Sequence, residues 1–599
     1  MKNHIVQRID DFRKLMTQYG IDYYIIPTSD PHMSEYINPY YEARRYISGF
    51  TGDAGTLVIG PNSAYLWTDG RFYVQAAQEL LGTGIELMKA GMDGVPTIIQ
   101  FLEKTMEKSM SLGMFSLTLQ TEFALKLKAL CKKKKCKFET KYDLVNDIWK
   151  DRPEIVYQDI MFKGNEIYGE SVESKLTKVR EYLHRNMLDG YFFSKLDEVM
   201  YLFNIRGNDI PYNPVAVSYA FVDQDSAVLF VDESVINNQL IEYSISNGFE
   251  IKAYGKICKY LKKHISSDTC IGLDYGATNY HVYKSICKVA KAINVNSVVE
   301  KLKAIKNEHE IKCIREYFRL DSAALTNAIC EIYSRINSGI EMDENDVSNI
   351  IYNHRSKISG FICESFPTIA AYGANGAIIH YVPDADNCAK LKKSGLMVID
   401  SGAQYECATT DVTRTIALGE LSKKEKAAFT DVTMGMLYLM NAIFASGCTG
   451  RNLDILARER LWKKGMNFNH GTGHGVGCCL NVHEGPHSIR YRFSANEENT
   501  ELKPGMLITD EPGYYEPHEF GIRSENTLLV VKKNETEYGE FYGFDSLTLV
   551  PLDIECFDLE LLDGKDIEMI NKYQKMVYES IKDQLDVTTL EWLKNRLYL

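Results

Sequence analysis

One hairpin, written twice, restricts the folds open to this chain more than any other feature. Residues 50–69 read FTGDAGTLVIGPNSAYLWTD and residues 213–232 read NPVAVSYAFVDQDSAVLFVD, and they align without a gap at an offset of 163 residues. Each gives an apolar strand, a polar turn (Gly60-Pro61-Asn62-Ser63 and Asp223-Gln224-Asp225-Ser226) and a second apolar strand ending in Asp, which is a hairpin signature. Upstream of each lies a helical stretch and then a short apolar strand, Tyr23-Tyr24-Ile25-Ile26 in the first and Tyr191-Phe192-Phe193 in the second. Alternating helix and strand signals come after both. The pattern predicts two successive α/β domains of one fold, over residues 1–145 and 150–300. At 599 residues the chain has room for more, since domains usually span about 50–250 residues.

The first copy opens on an amphipathic helix, with Ile5, Val6, Ile9, Phe12, Leu15 and Met16 at helical spacing. Lys2, Arg8, Asp10, Asp11, Arg13 and Lys14 interrupt it, so residues 1–15 lack the apolar core of a signal peptide. A charged helix, Glu300 to Tyr317, opens a third region, with Ile305, Ile311 and Ile314 among alternating charges. Further helical patterns lie near 318–338, 344–358, 421–445 and 450–464, and strand signals near 396–400, 411–417, 506–510 and 527–531. Helices and strands in separate runs predict an α+β domain whose strands pair as hairpins. Beyond Leu562 the chain reads as terminal helices, with Ile567, Ile570, Tyr573, Met576 and Val577 on one face, then Trp592, Leu593 and Leu597. A tail of that character docks on its own domain or on a partner subunit.

A formal net charge of −13 argues against nucleic acid, whose phosphates are bound by clustered Lys and Arg. The one dense basic run, Lys132 to Lys135, reads as a solvated helix end. No segment approaches the run of about 18 apolar residues that a membrane span needs. The fourteen cysteines show no CxxC pair and no framework spacing. They therefore read as reduced thiols of a cytoplasmic protein, with Cys478 and Cys479 buried and inert.

The last third of the chain carries Asp400, Asp411, His474, Glu511 and Glu525, each in a short stretch punctuated by glycine. Four carboxylates and one imidazole are a hard donor set, suited to one or two divalent cations such as Mn²⁺, Co²⁺ or Zn²⁺. Two such cations about 3.5–4 Å apart are a recurring hydrolytic device. LMVIDSGAQYECATTDVTRT (396–415) reads as strand, turn, strand, which sets Asp400 beside Asp411. Two apposed carboxylates repel, and a cation removes the repulsion. Asp also caps turns through side-chain hydrogen bonds, so either acid alone is ambiguous. HGTGHGVGCCLNVHEGPH (470–487) holds four of the thirteen histidines, His470, His474, His483 and His487. Glycines let backbone approach closely there, and His470 and His474 share a face if the segment is extended. In TDEPGYYEPHEFGIRSENTLLV (509–530) Glu511 comes after an apolar strand and Glu525 precedes another, with Arg523 two residues before it. A hairpin-like excursion there repeats the Asp400/Asp411 device. The conjunction of two such pairs with a His-Gly loop points to a metal site.

DSGAQY (400–405), TTDVTRT (409–415), HGTGHGVG (470–477), NVHEGP (481–486) and TDEPGYY (509–515) resemble the signature stretches of the M24 metallopeptidases. IIHYVP (378–383) and WTDGRF (67–72) extend the resemblance, which is strongest to the three-domain cytosolic Xaa-Pro aminopeptidases of eukaryotes and covers essentially the whole chain. It implies an α+β, pita-bread (creatinase/aminopeptidase) catalytic domain behind two related α/β domains. The implied divisions are 1–147 and 148–302 for the creatinase-like domains, 303–555 for the catalytic domain and 556–599 for a helical extension.

The same resemblance implies two divalent ions, Mn²⁺ first, with Co²⁺ or Zn²⁺ as alternatives. Asp400 would chelate one, Asp411 and Glu525 would bridge both, and His474 and Glu511 would complete the second. Activated water would attack the first peptide bond of a substrate with proline second. Glu511 would accept its proton, and His380 and His483 would hold the substrate and the oxyanion. His470 and Arg523 would line the pocket, with Arg523 orienting Glu511 or Asp411. Tyr381, Val382 and Phe361 are the wall expected around the proline ring. A homodimer is implied as well, with Trp67 or Arg71 reaching a neighbouring active site. Ala408, where relatives often carry Gly, and Cys478-Cys479 are the departures from the pattern. A prolidase would share the five ligands but carry one N-terminal domain. A methionine aminopeptidase would be shorter and lack HYVP. A non-catalytic binding protein of this fold would have lost the ligands.

Overall fold

The computed structural model describes residues 2–162, 164–384, 388–492 and 499–599, and the chain divides into two compact units. The first comprises Met1–Asn165, Glu170–Pro211 and Val215–Val299, and the second Glu166–Gly169, Tyr212–Pro214 and Glu300–Leu599.

The first unit contains the duplication. One six-stranded sheet runs in the order Ile85–Lys89, Ala64–Thr68, Thr56–Ile59, Tyr23–Pro27, Ser111–Gly113, Lys137–Glu139. The other runs Glu250–Ala253, Ala227–Val231, Ser218–Asp223, Gly190–Phe193, Cys270–Leu273, Lys291–Asn294, position for position the same. Both hairpins close with one bond at equivalent places, Gly60 N to Ser63 O (2.8 Å) and Asp223 N to Ser226 O (3.0 Å). In the second, Asp223 Oδ1 also accepts from the Ser226 amide, 2.6 Å away. The turn sequences differ because the Asp side chain does there what Gly-Pro does in the first copy.

Helix Lys2–Gln18 buries Ile5, Ile9, Phe12 and Met16, while Val6 stays 41% exposed. Lys132 to Lys134 form the last turn of helix Thr121–Lys134, where cations favour the negative end of the helix dipole. Trp67 departs from expectation. It is 5% exposed in the core of its own unit, and its indole N–H is given to Pro96 O at 2.8 Å. That side chain cannot reach a neighbouring site. Arg71 is turned onto Asp69 through two bonds of 2.9 Å.

In the second unit, the three-stranded sheet Ile369–Tyr372, Leu396–Ser401, Val412–Ala417 packs on helices Glu308–Asn337 and Glu344–Arg355. Met397, Ile399, Val412 and Ile416 face Leu325, Ile329, Val347 and Ile351, all buried. Each such side chain contributes about 1.5–3 kcal/mol. A six-stranded sheet runs Ile443–Ala445, Gly539–Ser546, Asn526–Thr536, Leu507–Asp510, Gly473–Gly475, Glu484–Ile489. Its core, Ile489, Ile508, Leu528 and Val530, packs on Leu439, Leu453 and Ala457 of helices Lys423–Met440 and Gly450–Lys463. This is the α+β pita-bread arrangement.

The helix expected over Glu300–Tyr317 is broken. Val298–Ala304 ends, Lys306 N bonds Gly505 O (2.9 Å), and Asn307 caps a new helix with Glu310 in a reciprocal capping box. The terminal helices Gly564–Ile581 and Val587–Lys594 dock on their own unit, with Ile570, Tyr573, Val577 and Leu593 joining Phe429, Val432 and Leu437 in one core. Cys313 and Cys407 are paired as a disulfide with Cα atoms 6.2 Å apart, within reach of a bridge. The reading of every cysteine as a free thiol is corrected at that pair, and Cys478 and Cys479 are buried as expected. No helix of the described residues is long and apolar enough to cross a membrane.

Strand Phe520–Arg523 lies on the 3-10 turn Gly373–Ala377, and a Cβ on Gly521 would sit 1.7 Å from Gly376 O. Backbone meets backbone, so nothing can swing away. Gly521→Ala should therefore destabilise the chain by about 3 kcal/mol, read as a lower urea midpoint with unchanged slope.

Candidate metal centre

Period-two alternation aims the acids. In strand Leu396–Ser401, Met397 and Ile399 go to the helices, so Val398 and Asp400 share the other face. In Val412–Ala417, Val412 and Ile416 are core, which sends Asp411, Thr413 and Thr415 to the Asp400 side. The ladder pairs Asp400 with Thr413 and Ser401 with Val412. Between them residues 402–410 make a further small hairpin, Ala403–Tyr405 with Ala408–Thr409, rather than one tight turn. The second device matches. Asp510 pairs with Asn526, and residues 511–525 leave as a hairpin of Gly513–Glu516 and Phe520–Arg523. Glu511 and Glu525 are thus held at its foot, and Glu525 N bonds Thr413 O at 3.1 Å, tying the two devices together.

Potential ligand atoms of Asp411, His474 and Glu525 lie within 4.8 Å of one another. His474 Nε2 is 3.5 Å from Asp411 Oδ2 and 3.7 Å from Glu511 Oε1. Its Nδ1 is 2.9 Å from Gly475 O, which leaves Nε2 toward the acids, as a ligating imidazole requires. Asp400 presents one oxygen to Arg523, through Nε at 3.1 Å and a terminal nitrogen at 2.5 Å. The other, Oδ1, is buried without a hydrogen-bond partner. A buried carboxylate oxygen with no donor, in a set of hard oxygens and one imidazole, fits a divalent cation.

The electrostatics agree. Burial, then Glu525, Asp400 and Glu511, push the Asp411 carboxyl well above the usual range. Burial, then Asp400 and Glu511, do the same to Glu525, and burial raises Glu511 to about 7. Burial, then His483, hold His474 well below the usual imidazole range, hence in the neutral, ligating form. Without a compensating cation these acids cannot all ionise. Glu511 has the most open side chain, 19% exposed against 12% for Asp400 and 6% for Asp411, so it faces the approach to the cluster.

The histidine loop divides by role. His470 Nδ1 stands 3.9 Å from Glu511 Oε2, and its Nε2 is 2.9 Å from the Tyr515 hydroxyl. His483 stacks edge-on against His474, with ring centroids 4.2 Å apart. His487 is structural, with Nε2 2.6 Å from Leu507 O and its pKa lowered by burial to about 4. His380 lies on the segment after the 3-10 turn Gly373–Ala377, the turn that packs on the strand of Arg523.

Arg523 corrects the expectation that it orients Glu511 or Asp411. It grips Asp400, and gives its remaining terminal nitrogen to Tyr515 Oη at 2.8 Å. Two residues of the site escape a reading of the sequence. Thr413 donates to Glu525 Oε2 at 2.7 Å and accepts from Arg523 Nε at 3.2 Å. Tyr515 links Arg523 to His470. Thr413, two positions after Asp411 on one strand face, carried a signal. Tyr515 carried none, because its partners come from other segments. Of the expected proline wall, Tyr381 is half-buried against Ile369, Ala371 and Val398, Val382 is 48% exposed, and Phe361 packs on Tyr405.

The model of metallopeptidase family M24 matches residues 312–532, and that of its C-terminal region 540–597. Two models of the creatinase/prolidase N-terminal domain match residues 8–144 and 151–310. Aminopeptidase P2 of Arabidopsis thaliana is 36% identical over 98% of this chain and 88% of its own length. The crystal structure of an X-prolyl aminopeptidase from Caenorhabditis elegans, described as a cytosolic enzyme with a di-nuclear active site, is similar over 100% of this chain and 99% of its own, with 30% identity and a TM-score of 0.92. The prolidase of Pyrococcus horikoshii is 26% identical and matches with a TM-score of 0.51 over 63% of this chain and 99% of its own. With its catalytic region matched to the family model and a relative similar from end to end, the chain belongs to metallopeptidase family M24.

Proposed function

We propose that this chain is a metal-dependent Xaa-Pro aminopeptidase, an exopeptidase that releases the first residue of peptides with proline in second position. The observation that carries it is the convergence of Asp400, Asp411, His474, Glu511 and Glu525 from three stretches of the chain onto one cluster, in a chain similar along its whole length to such enzymes. These five residues would hold two divalent ions, with Mn²⁺ as first choice and Co²⁺ or Zn²⁺ as alternatives. Ions so held supply Lewis acidity and bring the pKa of water from about 15.7 toward 7.

The chain's own groups do the rest. Glu511, the most open of these acids, is placed to take the proton from water. His483 and His380 donate to the carbonyl oxygen as it gains charge, and His470 and Arg523 line the pocket. Arg523 holds one Asp400 oxygen and leaves the other, buried and without a hydrogen-bond donor, for a cation. A bond before proline is a tertiary amide with no N–H to give, so recognition falls to shape, with the Tyr381 ring as the best-placed wall.

The division into 1–147, 148–302, 303–555 and 556–599, a homodimeric state, peptide partners and a cytoplasmic location belong to this reading. The prolidase alternative is disfavoured by the presence of two creatinase-like copies, since the Pyrococcus enzyme, matched over 99% of its own length, accounts for only 63% of this chain. A binding protein without catalysis is disfavoured by the presence of every ligand. The test is substrate choice. Arg should be released from Arg-Pro-Pro but not from Arg-Ala-Pro, and longer Xaa-Pro peptides should be cleaved in preference to Xaa-Pro dipeptides. Release from Arg-Ala-Pro at a comparable rate would discard proline specificity, and turnover of dipeptides alone would return the prolidase reading.

A further inference from the structure

Glu344, the first residue of helix Glu344–Arg355, is fully buried, and no Lys, Arg or His pairs with it among the described residues. Its carboxylate is nonetheless crowded with donors. Oε1 accepts from the Tyr372 amide (2.7 Å) and Asn375 Nδ2 (3.0 Å). Oε2 accepts from the Tyr381 hydroxyl (2.7 Å), the Ala389 amide (2.7 Å) and Asn375 Nδ2 (3.1 Å). A buried charge without a counter-ion is costly unless donors surround it, and here five hydrogen bonds do so.

Those donors come from one excursion of the chain. Tyr372 ends strand Ile369–Tyr372, Asn375 lies in the 3-10 turn Gly373–Ala377, Tyr381 is the residue after His380, and Ala389 lies where the chain returns. The return is pinned by backbone as well, with Glu344 N to Ala389 O at 3.3 Å and Leu391 N to Met342 O at 2.9 Å. One carboxylate thus gathers the start, the middle and the end of the excursion that carries His380. The turn holding Asn375 is the one packed against Gly521, two residues before Arg523. The excursion is therefore set at Glu344 on one side and at the strand of the Asp400-binding arginine on the other.

We infer that Glu344 is a positioning residue for the peptidase reaction, holding His380 in register with the metal cluster through hydrogen bonds to Tyr372, Asn375, Tyr381 and Ala389. The inference rests on the proposed role of His380 as a contact to the reacting carbonyl. A carboxylate is required because it only accepts. In Glu344→Gln either orientation of the amide turns its NH₂ toward a backbone N–H, of Tyr372 or of Ala389. A hydroxyl can reverse its role, but a backbone amide cannot.

The test is a double-mutant cycle on the full chain loaded with Mn²⁺, reading kcat and KM for Arg-Pro-Pro together with bound metal. E344Q and H380A should each lower kcat by about 10- to 100-fold, the cost of roughly 1 Å of misplacement, while E344Q keeps the wild-type metal content. E344Q/H380A should be no slower than H380A within about twofold, the mark of two residues acting through one contact. Should E344Q fail to fold, Y381F, which removes one donor, enters the same cycle with the same expected non-additivity. Losses that multiply, or metal lost from E344Q, would overturn the inference while leaving His380 in its role. An H380A variant as fast as wild type would instead refute the role of His380, and the inference with it.

Discussion

Asp411→Ala should lower kcat/KM on Arg-Pro-Pro by about 10³-fold or more, since Lewis-acid stabilisation is worth several kcal/mol and each 1.36 kcal/mol is tenfold. Bound metal should fall below two ions per chain in the same preparation. The variant also makes a prediction of opposite sign. In the metal-free chain Asp411 is a buried acid pressed by Glu525, Asp400 and Glu511, so its removal relieves repulsion. Metal-free Asp411→Ala should therefore melt no lower than the metal-free parent, whereas with excess Mn²⁺ the parent should melt higher. A general loss of fold would lower both, and hydrolysis at the parent's rate would sink the two-ion mechanism.

Stripping the metal from the unaltered chain should abolish turnover, and adding Mn²⁺ should restore it. The melting temperature should fall too, because a ligand at 100 times its Kd stabilises the folded state by about 2.7 kcal/mol. The loss should depend on pH in a defined direction. Glu511 is raised to about 7, and Asp411 and Glu525 well above the usual carboxylate range. Between the ordinary carboxylate pKa of about 4 and those raised values, the folded metal-free chain holds more protons than the unfolded one. Stability from these groups is thus complete at the acid end of that window and is lost as pH rises through it. Metal-free protein should lose melting temperature between pH 5 and pH 8 more steeply than metal-loaded protein, as thermal unfolding in matched buffers would read. Parallel profiles would mean that the cluster is not where the ions sit.

Much of the fold was legible because it is written at short range. The repeated hairpin needed only two strands and a turn, and its turns close at Gly60 and Asp223 as the alignment requires. The acids of the cluster were legible for the same reason, since each ends or begins an apolar strand whose alternation sets the side it faces. The break at residues 305–307 was not legible, because it depends on Lys306 meeting Gly505, about two hundred residues away in sequence. Cys313 and Cys407, 94 apart, meet only once the long helix has packed on the residue 402–410 excursion. The burial of Trp67 came from a core that a motif of six residues does not describe.

The amino-acid sequence by itself determined that two related α/β domains precede an α+β domain, and that four acids and a histidine suited to divalent cations lie in or beside its strands. Periodicity and turn chemistry are local, and they survive without knowledge of the rest of the chain. Only the tertiary structure decided which partners those residues take. It gave Arg523 to Asp400 rather than to Glu511 or Asp411, set Thr413 beneath Glu525, joined His470 to Arg523 through Tyr515, and gathered the His380 segment onto Glu344. Each is a choice among buried donors and acceptors that packing alone brings within about 3 Å. Burial then makes the choice binding, because a polar group shut away from water must keep the partner that folding assigns it.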